Sequence, residues 1–344
     1  MVSGPRKYPG RSGWEGNVEK VGGSWRNAGH HRGTEGTEEY ACRTPWGDTA
    51  EPFLCLLCAH CASVVKNPMV SYFTHGPTLA YRTYGHGPLP VLAFHGFGRT
   101  GADFAVLEHA LGERCTLYAF DLHFHGQSPG YPERADVPFT PKELATYFTA
   151  FADEVIIAPR LVSLLGYSLG GRIALGLLEE MPDRIERVLL AAPDGLKTRP
   201  WYRGLAASKV GRALYRRFVV NPTVTHAIMK SLRAVRLMNE RMFRFLMGQT
   251  DSRAKRQLVH DVWLSYRLIE PDLAAVAYNA KDGGIPVHLF FGANDRVIRP
   301  AFGEKLRKHA PELITQEELP FGHTLLTEEL GQAIAARLDQ PCPE

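Results

Sequence analysis

The sequence predicts an α/β fold in which a mostly parallel sheet is flanked by helices and interrupted by an inserted helical subdomain. From residue 90 onward, short apolar runs typical of strands buried on both faces alternate with amphipathic helical patterns. Between residues 197 and 280 the strand patterns stop and helical spacing prevails. We therefore expect a core of residues 69–195 and 281–344, with residues 196–280 inserted as a helical cap.

The composition narrows the class of protein. The 344 residues are 44% hydrophobic and 22% charged, which suits a large globular domain, and a net charge of +4 is too small to indicate nucleic-acid binding. An uninterrupted apolar run of about 18 residues, as a membrane span needs, does not occur. The six cysteines lie mostly near one end, which argues against a disulfide scaffold and favours a reducing, cytoplasmic compartment.

Residues 1–68 are predicted to be a disordered extension rather than a domain. Residues 1–50 are rich in Gly, Arg, Glu, Ser and Thr, so they cannot bury enough apolar surface to offset the entropy of ordering. Strand-like Val70–Thr74 follows Met69 directly, which favours translation of the extension from an upstream start.

A cysteine-rich stretch within this extension leaves a metal site open as an alternative. The candidate ligands are Cys55, Cys58, Cys61 and His60. A closed zinc or iron–sulfur site needs a fourth, suitably spaced ligand, for which Cys42 is a poor candidate. A signal peptide is not indicated, because some fifty residues with several acids precede the stretch instead of a short basic segment.

The first elements of the core are a hairpin and two buried strands. His75-Gly76-Pro77 is a turn signal between two strand patterns. Pro141 lies at the first turn of a helix whose apolar residues recur on one face. The predicted order is strand 71–74, strand 78–84, strand 90–94, helix 102–111, strand 116–120 and helix 141–152.

The chain is organised around residues 166–171, Gly-Tyr-Ser-Leu-Gly-Gly, which we call the elbow. An apolar strand at 161–165 is followed by a helical pattern without a loop, so Ser168 lies on a turn that reverses the chain within about two residues. Gly166 and Gly170 leave room where a Cβ atom would clash, and Gly171 lets the helix pack close to the strand. At this point a glycine-rich turn with a purely structural role remains an alternative interpretation.

Beyond the elbow, a strand at 187–192 precedes the helical segment, in which 16 Lys and Arg stand against 5 Asp and Glu. This excess indicates attraction of an anionic substrate or membrane surface, or else a solvated helical face. Two apolar patterns predict helices there: Leu232, Val235, Met238, Met242, Phe245 and Leu246, and then Trp263, Tyr266, Leu268, Leu273 and Val276. The alternation resumes with strand 286–291, helix 300–308, strand 313–319 and a helix from 324.

Residues 96–101, Gly-Phe-Gly-Arg-Thr-Gly, also satisfy the dinucleotide-binding pattern G-x-G-x-x-G. They follow a strand, and Asp121 lies about twenty residues downstream, where an acidic residue would hold a ribose. Spacing alone does not exclude this alternative. His95 at the strand end and the elbow further along favour cofactor-independent chemistry instead.

Three predicted strand ends carry Ser168, Asp295 and His323, in the chain order nucleophile, acid, histidine. Catalytic groups gather at the carboxyl ends of strands in open α/β sheets. The motifs that carry a family resemblance are His95-Gly96-Phe97-Gly98, the elbow, Gly292-Ala293-Asn294-Asp295 and Gly322-His323. With these motifs the chain from Met69 onward resembles the α/β-hydrolase superfamily, in its capped serine esterase form.

The resemblance implies a serine hydrolase, without cofactor or metal, that acts on a small or medium carboxylic ester. Ser168 would be the nucleophile, His323 the base and Asp295 the carboxylate that orients the imidazole. The backbone N–H groups of Leu169 and Phe97 would form the oxyanion hole. C–C bond hydrolysis, thioester cleavage, lyase chemistry and a non-catalytic ligand receptor are the alternatives.

The expected partner is a small-molecule acyl substrate, with no nucleic acid and no integral membrane segment. Contact of the basic cap with a membrane surface is a further alternative. The cap is expected to roof an apolar acyl pocket through some of its large side chains: Trp201, Tyr202, Tyr215, Phe218, Met238, Met242 and Phe245.

Several nearby groups have competing interpretations. Asp194, also at a strand end, is an alternative acid of the triad. We expect Asp121 to tie its own loop to the backbone, His95 to shape the oxyanion loop and His288 to be a hydrogen-bonded core residue.

One loop departs from the family pattern. The family often has Asp-x-Pro-Gly-x-Gly-x-Ser after its fourth strand, whereas residues 121–128 read Asp-Leu-His-Phe-His-Gly-Gln-Ser. Replacing Pro-Gly by His123 and Phe124 makes this loop bulkier, and we expect it to face the site. This departure does not affect the predicted triad, but the substrate of the family cannot be carried over through this loop.

Overall fold

The computed structural model describes residues 69–156, 161–197, 206, 208–238 and 240–339, with the side chains of residues 241, 242, 245, 246 and 249 outside the description. The predictions for the extension 1–68, including its candidate metal ligands, lie outside the described residues. The same holds for Trp201 and Tyr202 and for the side chains of Met242 and Phe245.

In the described part of the chain, eight strands form a mostly parallel sheet in the order β1-β2-β4-β3-β5-β6-β7-β8, and the predicted α/β fold class is confirmed. The pairs β1–β2 and β2–β4 are antiparallel and the remaining pairs are parallel. The strands are β1 Ser71–Thr74, β2 Thr78–Tyr84, β3 Leu89–Phe94, β4 Cys115–Asp121, β5 Val162–Tyr167, β6 Ile185–Ala191, β7 Val287–Gly292 and β8 Ile314–Leu319.

Helices connect the parallel strands and fill the segment between β6 and β7. Their bounds are α1 Glu108–Leu111, α2 Pro141–Val155, α3 Leu169–Glu180, α4 Lys209–Val220, α5 Thr223–Ala234, α6 Glu240–Thr250, α7 Arg253–Ser265, α8 Leu273–Asp282, α9 Glu304–Arg307 and α10 Glu328–Leu338. Short 3-10 turns cover Gly101–Leu107, Pro132–Ala135, Pro182–Arg184 and Pro300–Phe302. None of the helices in the described ranges is both long and apolar enough to cross a membrane.

The core lies on both faces of the central strands. Every residue of β5 and of β7 is buried, as the continuous apolar runs of the sequence predict for strands covered by helices on both sides. Packing of this kind removes apolar surface from water at roughly 25 cal/mol per Å² and is the main force that holds the sheet and helices together. The parallel register brings the carboxyl ends of β3, β5, β7 and β8 to the same edge of the sheet.

The prediction of one continuous helix through Leu232 and Leu246 is wrong. Helix α5 ends at Ala234 and α6 begins at Glu240. Between them Arg236 takes a left-handed backbone conformation with φ of 60°, which a right-handed helix cannot contain.

The second predicted helix in the insertion, which places Trp263 and Val276 on one face, is also divided. Helix α7 ends at Ser265, and α8 begins at Leu273 after Pro271. The carboxylate of Asp272 accepts hydrogen bonds from the N–H groups of Ala274 and Ala275, which caps the new helix. A proline followed by a capping residue therefore overrides the apolar spacing.

Candidate active site

The elbow joins β5 to α3 with Ser168 at its apex. Ser168 has φ of 51° and ψ of −112°, a conformation that costs a non-glycine residue energy and needs support from its surroundings. The support comes from backbone hydrogen bonds. The Ser168 N–H donates to the Ala191 carbonyl at 3.0 Å, and the Ser168 carbonyl accepts from the N–H groups of Gly171 and Asp194 at 2.9 and 2.8 Å.

The glycines of the elbow are required by close packing. A Cβ atom on Gly170 would overlap the carbonyl oxygen of Phe94 on β3, and one on Gly166 would lie 2.7 Å from the Gly170 carbonyl oxygen. A Cβ on Gly96, in the loop after β3, would lie 3.1 Å from the Ser168 Cβ. The loop after β3 and the elbow therefore lie so close that a side chain at position 96 would crowd Ser168.

The structure brings Ser168, His323 and Asp295 together in one hydrogen-bonded line. The Ser168 Oγ lies 3.1 Å from His323 Nε2, and His323 Nδ1 lies 2.8 Å from Asp295 Oδ2. The side chain of Asp295 is completely buried, while that of His323 keeps 27% of its surface exposed. Asp295 thus holds the imidazole from the buried side, while part of the His323 side chain remains accessible to solvent.

Asp295 is held as an ionised carboxylate. Its Oδ1 accepts from the N–H groups of Val297 and Ile298 at 2.7 and 3.0 Å, while Oδ2 faces the histidine. Burial by itself raises the pKa of Asp295, but the hydrogen bond and charge interaction with His323 and the two backbone donors outweigh it, so the pKa lies below its usual value.

Asp194, the alternative acid, is engaged elsewhere. Its Oδ2 accepts from the Arg172 guanidinium at 2.6 Å, and its Oδ1 accepts from the Gly195 N–H at 2.9 Å. Among the described carboxylates, the one hydrogen-bonded to His323 is Asp295.

Two buried histidines hold the loop that carries Phe97. His95 Nε2 accepts from the Leu122 N–H at 2.9 Å, and His125 Nε2 accepts from the Gly98 N–H at 3.0 Å. Burial lowers the pKa of His95 to about 3 and also lowers the pKa of His125, so both rings are neutral and able to accept. His125 of the unusual loop therefore faces the site, where its ring contacts that of Phe97 edge to face.

His123 of the same loop points into a different aromatic group. Its Nδ1 hydrogen-bonds the Tyr266 hydroxyl at 2.9 Å, and its ring stacks on Phe139 with centroids 4.5 Å apart. The bulkier loop thus joins the sheet edge to the residue that follows α7.

Asp121 does not offer the free carboxylate that a dinucleotide site needs. It is fully buried, and its oxygens accept from Arg82 at 2.8 Å, from the Gly101 N–H at 2.7 Å and from the Gln127 N–H at 2.8 Å. Because these donors occupy the carboxylate, the G-x-G-x-x-G pattern at 96–101 serves the packing of its own loop.

The site also uses residues whose roles sequence reasoning missed. The Tyr167 hydroxyl donates to the His323 carbonyl at 2.8 Å, which fastens the histidine loop to the end of β5. The ring of Trp263 on α7 stacks over Phe97 with centroids 6.3 Å apart, and the Arg172 guanidinium lies 5.4 Å from the same indole ring. Tyr167 occupies the variable position of the elbow motif, and the sequence gave no other signal of its role. The helical pattern that contains Trp263 predicted no role for it at the site.

Other candidates lie away from this line. Tyr215 packs beside the cluster of Ala135, Ala206 and Leu264, and Phe218 contacts the ring of His226. His288 is buried in β7 and hydrogen-bonds Thr315 Oγ1 at 2.7 Å, as expected for a core histidine. Within the described ranges, three or more His, Cys, Asp or Glu side chains do not converge on a common metal position.

Comparison with known proteins places this geometry in a family. The sequence pattern of the alpha/beta hydrolase family matches residues 91–337. An uncharacterised protein of Mycobacterium tuberculosis is 30% identical over 134 residues, which are 38% of this chain and 37% of that protein. The chain therefore spans little more than a third of the length of that relative.

Two further proteins are similar over most of the chain. A pimeloyl-[acyl-carrier protein] methyl ester esterase of Chromobacterium violaceum is 27% identical over 249 residues, 70% of this chain and 88% of that protein. The structure of a thermophilic esterase from Thermogutta terrifontis matches 78% of this chain and 98% of its own with a TM-score of 0.57 and 17% identity, a likeness of fold alone. Because the family pattern covers well over half of its length, the chain belongs to the alpha/beta hydrolase family.

Proposed function

We propose that the protein is a serine hydrolase in which Ser168 is the nucleophile, His323 the general base and then acid, and Asp295 the carboxylate that orients the imidazole. The observation that carries this proposal is the line of hydrogen bonds of 2.8 and 3.1 Å from Asp295 through His323 to Ser168. A serine hydroxyl is a weak nucleophile at neutral pH unless a neighbouring base takes its proton. Nε2 of the imidazole lies within the distance at which such a transfer takes place.

In the proposed reaction, Ser168 Oγ attacks the carbonyl carbon of the substrate while its proton moves to His323. Asp295 stabilises the imidazolium that forms. We assign the oxyanion hole to the N–H groups of Leu169, in the elbow, and Phe97, in the loop after β3, and each donor of this kind is worth roughly 3–4 kcal/mol. The imidazolium then protonates the departing alkoxide, and a water molecule deprotonated by His323 hydrolyses the acyl-serine.

We propose a small or medium carboxylic ester as the substrate, bound beneath a cap formed by the helices between β6 and β7. The stacking of Trp263 on Phe97 supports an apolar wall beside the oxyanion loop. The name of the Chromobacterium relative, a methyl ester esterase, supports ester chemistry on this arrangement.

Labelling with a fluorophosphonate probe tests the nucleophile. We expect the protein to be labelled at Ser168, and Ser168→Ala to abolish labelling and to lower kcat by on the order of 10³-fold or more while the fold survives. Ser163→Ala is the matched control, because it removes a buried hydroxyl from β5, the strand that leads into the elbow, and this hydroxyl has no hydrogen-bond partner among the described residues. Retention of most activity in Ser168→Ala would contradict the proposal.

Hydrolysis of p-nitrophenyl esters from acetate to decanoate tests the substrate class. An ester hydrolase of the proposed kind cleaves one range of chain lengths with a distinct optimum. Probe labelling without turnover of any ester would point instead to C–C bond, thioester or lyase chemistry, and absence of both would indicate a receptor.

A further inference from the structure

Helices α4 and α5 of the insertion each present an apolar row to solvent. On α4 the row contains Val210, Leu214 and Val220, which are 71, 59 and 60% exposed. On α5 Val224 and Ile228, at a spacing of one helical turn, are 70 and 53% exposed. Isolated exposed aliphatic residues are ordinary, but rows along two consecutive helices are a feature of interaction surfaces.

The charges of the same segment have one sign. Residues 209–238 contain seven Lys and Arg and no Asp or Glu. Arg216 and Arg233 pair with Asp136 and Glu240 outside this range.

Four further cations lack such partners: within the described part of the chain, no acidic side chain forms an ion pair with Lys209, Arg217, Lys230 or Arg236. The segment thus combines exposed aliphatic rows with unneutralised positive charge.

We infer that residues 209–238 form a docking surface for an anionic lipid membrane. Amphipathic helices that lie in a membrane interface bury their aliphatic side chains among the acyl chains while Lys and Arg contact anionic headgroups. A nucleic acid offers phosphates but nothing to cover the aliphatic rows. A second copy of this chain would bring the four unpaired cations of each copy against those of the other, which opposes association through this face.

The docking surface connects to the site through one helix. Arg256 on α7 donates to the Val219 carbonyl at the end of α4 at 3.0 Å, and Trp263, seven residues further along α7, stacks on Phe97. Arg256, which contacts α4, and Trp263, which contacts Phe97, are therefore about 10 Å apart along one helix. The docking inference itself does not depend on the activity of the site.

Co-sedimentation of the full chain with vesicles tests this inference. We expect at least about ten-fold tighter binding to phosphatidylcholine vesicles that contain phosphatidylglycerol than to phosphatidylcholine alone, because each unpaired cation contributes roughly five-fold. The preference should fall as salt rises from about 0.1 M to 1 M, where the screening length drops to about 3 Å.

Two double variants separate charge from apolar contact. Arg217→Gln with Lys230→Gln should weaken binding to anionic vesicles roughly 30-fold, and Leu214→Gln with Ile228→Gln should release the protein at all salt concentrations. The matched controls are Lys305→Gln, on α9, and Tyr72→Gln, on β1, which are exposed outside the insertion.

Equal binding of the two vesicle types, or equal loss in the control variants, would overturn the inference. So would a dimer in solution that Leu214→Gln with Ile228→Gln dissociates while vesicle binding is absent, because a second copy would then cover this face. Circular dichroism of each variant establishes that a loss of binding is not a loss of fold.

Discussion

Within the proposed triad, one buried carboxylate holds the imidazole in place. Asp295 has both oxygens occupied, one by two backbone N–H groups and one by the imidazole, so that it carries its charge without exposure to water. A carboxylate in this position accepts a hydrogen bond from Nδ1–H of His323 and thereby leaves Nε2 free to accept from the serine. Arg172 makes Asp194 unsuited to the same task, although both acids follow strands.

Asp295→Asn is expected to lower kcat by on the order of 10³- to 10⁴-fold, because an amide at this position favours the wrong imidazole tautomer. Asp194→Asn is the matched variant. It weakens the bond to Arg172, so it should cost about 1–3 kcal/mol of stability and change kcat only slightly. Steady-state kinetics and urea unfolding of both variants distinguish the two acids, and the reverse pattern would assign the acid role to Asp194.

At the scale of elements, the glycines of the elbow let it pack closely against two neighbouring segments of the chain. Gly170 faces the end of β3, and Gly171 faces Pro193 after β6. The Ser168 carbonyl accepts from the N–H groups of Gly171 in α3 and of Asp194 after β6. The strained serine is therefore fixed by neighbours that belong to separate strands, and the position of its hydroxyl depends on the packing of the sheet edge.

Gly171→Ala is expected to destabilise the protein by about 1–3 kcal/mol, because the added Cβ would lie 2.6 Å from the Pro193 Cα. Gly248→Ala on α6 is the matched control. The added Cβ atom would have no neighbour within 4 Å. Because alanine favours a helix more than glycine does, this variant should raise the free energy of unfolding by about 0.5–1 kcal/mol. Urea denaturation midpoints measure both, and equal stability of the two variants would contradict the close approach at the elbow.

At the scale of the whole molecule, several histidines are buried in neutral form. Burial lowers the pKa of His95 and of His123 to about 3 and that of His288 to about 4. In the unfolded chain the pKa of these rings is about 6.5. Between these values the unfolded state binds more protons than the folded state, so stability rises with pH in this window.

The contribution of these neutral rings to the free energy of unfolding should therefore be fully present above about pH 6.5. On acidification to pH 5.5 the free energy of unfolding should fall by up to about 1.4 kcal/mol per pH unit for each buried histidine. Thermal unfolding across this range measures the slope, while ordinary carboxylates remain ionised. His288→Gln should flatten the slope, and His86→Gln, whose ring is 76% exposed, should not. A pH-independent Tm from 6.5 to 5.5 would contradict the neutral burial of these rings.

The part of the fold that the sequence predicts is the part where local pattern and tertiary structure agree. The apolar runs of β3, β5 and β7 and the glycines of the elbow have one physical interpretation each, so strands, turn and strand ends follow from them. The break at Arg236 between α5 and α6 carries no such local signal, since the apolar spacing continues across it.

The contacts of the site were less predictable, because they join residues far apart in the chain. Asp194 and Asp295 both follow strands, and only the proximity of Arg172 and His323 in the folded chain separates them. The stacking of Trp263 on Phe97 depends on where α7 crosses the sheet edge, which spacing along one helix does not determine.

The bond from the Tyr167 hydroxyl to the His323 carbonyl has a practical consequence. Asp295 holds the imidazole and Tyr167 holds the loop that carries it, so the ring keeps its place without help from the serine. A protein lacking only Oγ would then retain the shape of the proposed site without its nucleophile, so that a bound substrate would stay unreacted. Incubating Ser168→Ala with a cell extract and identifying what co-purifies by mass spectrometry would use the protein itself to name its substrate.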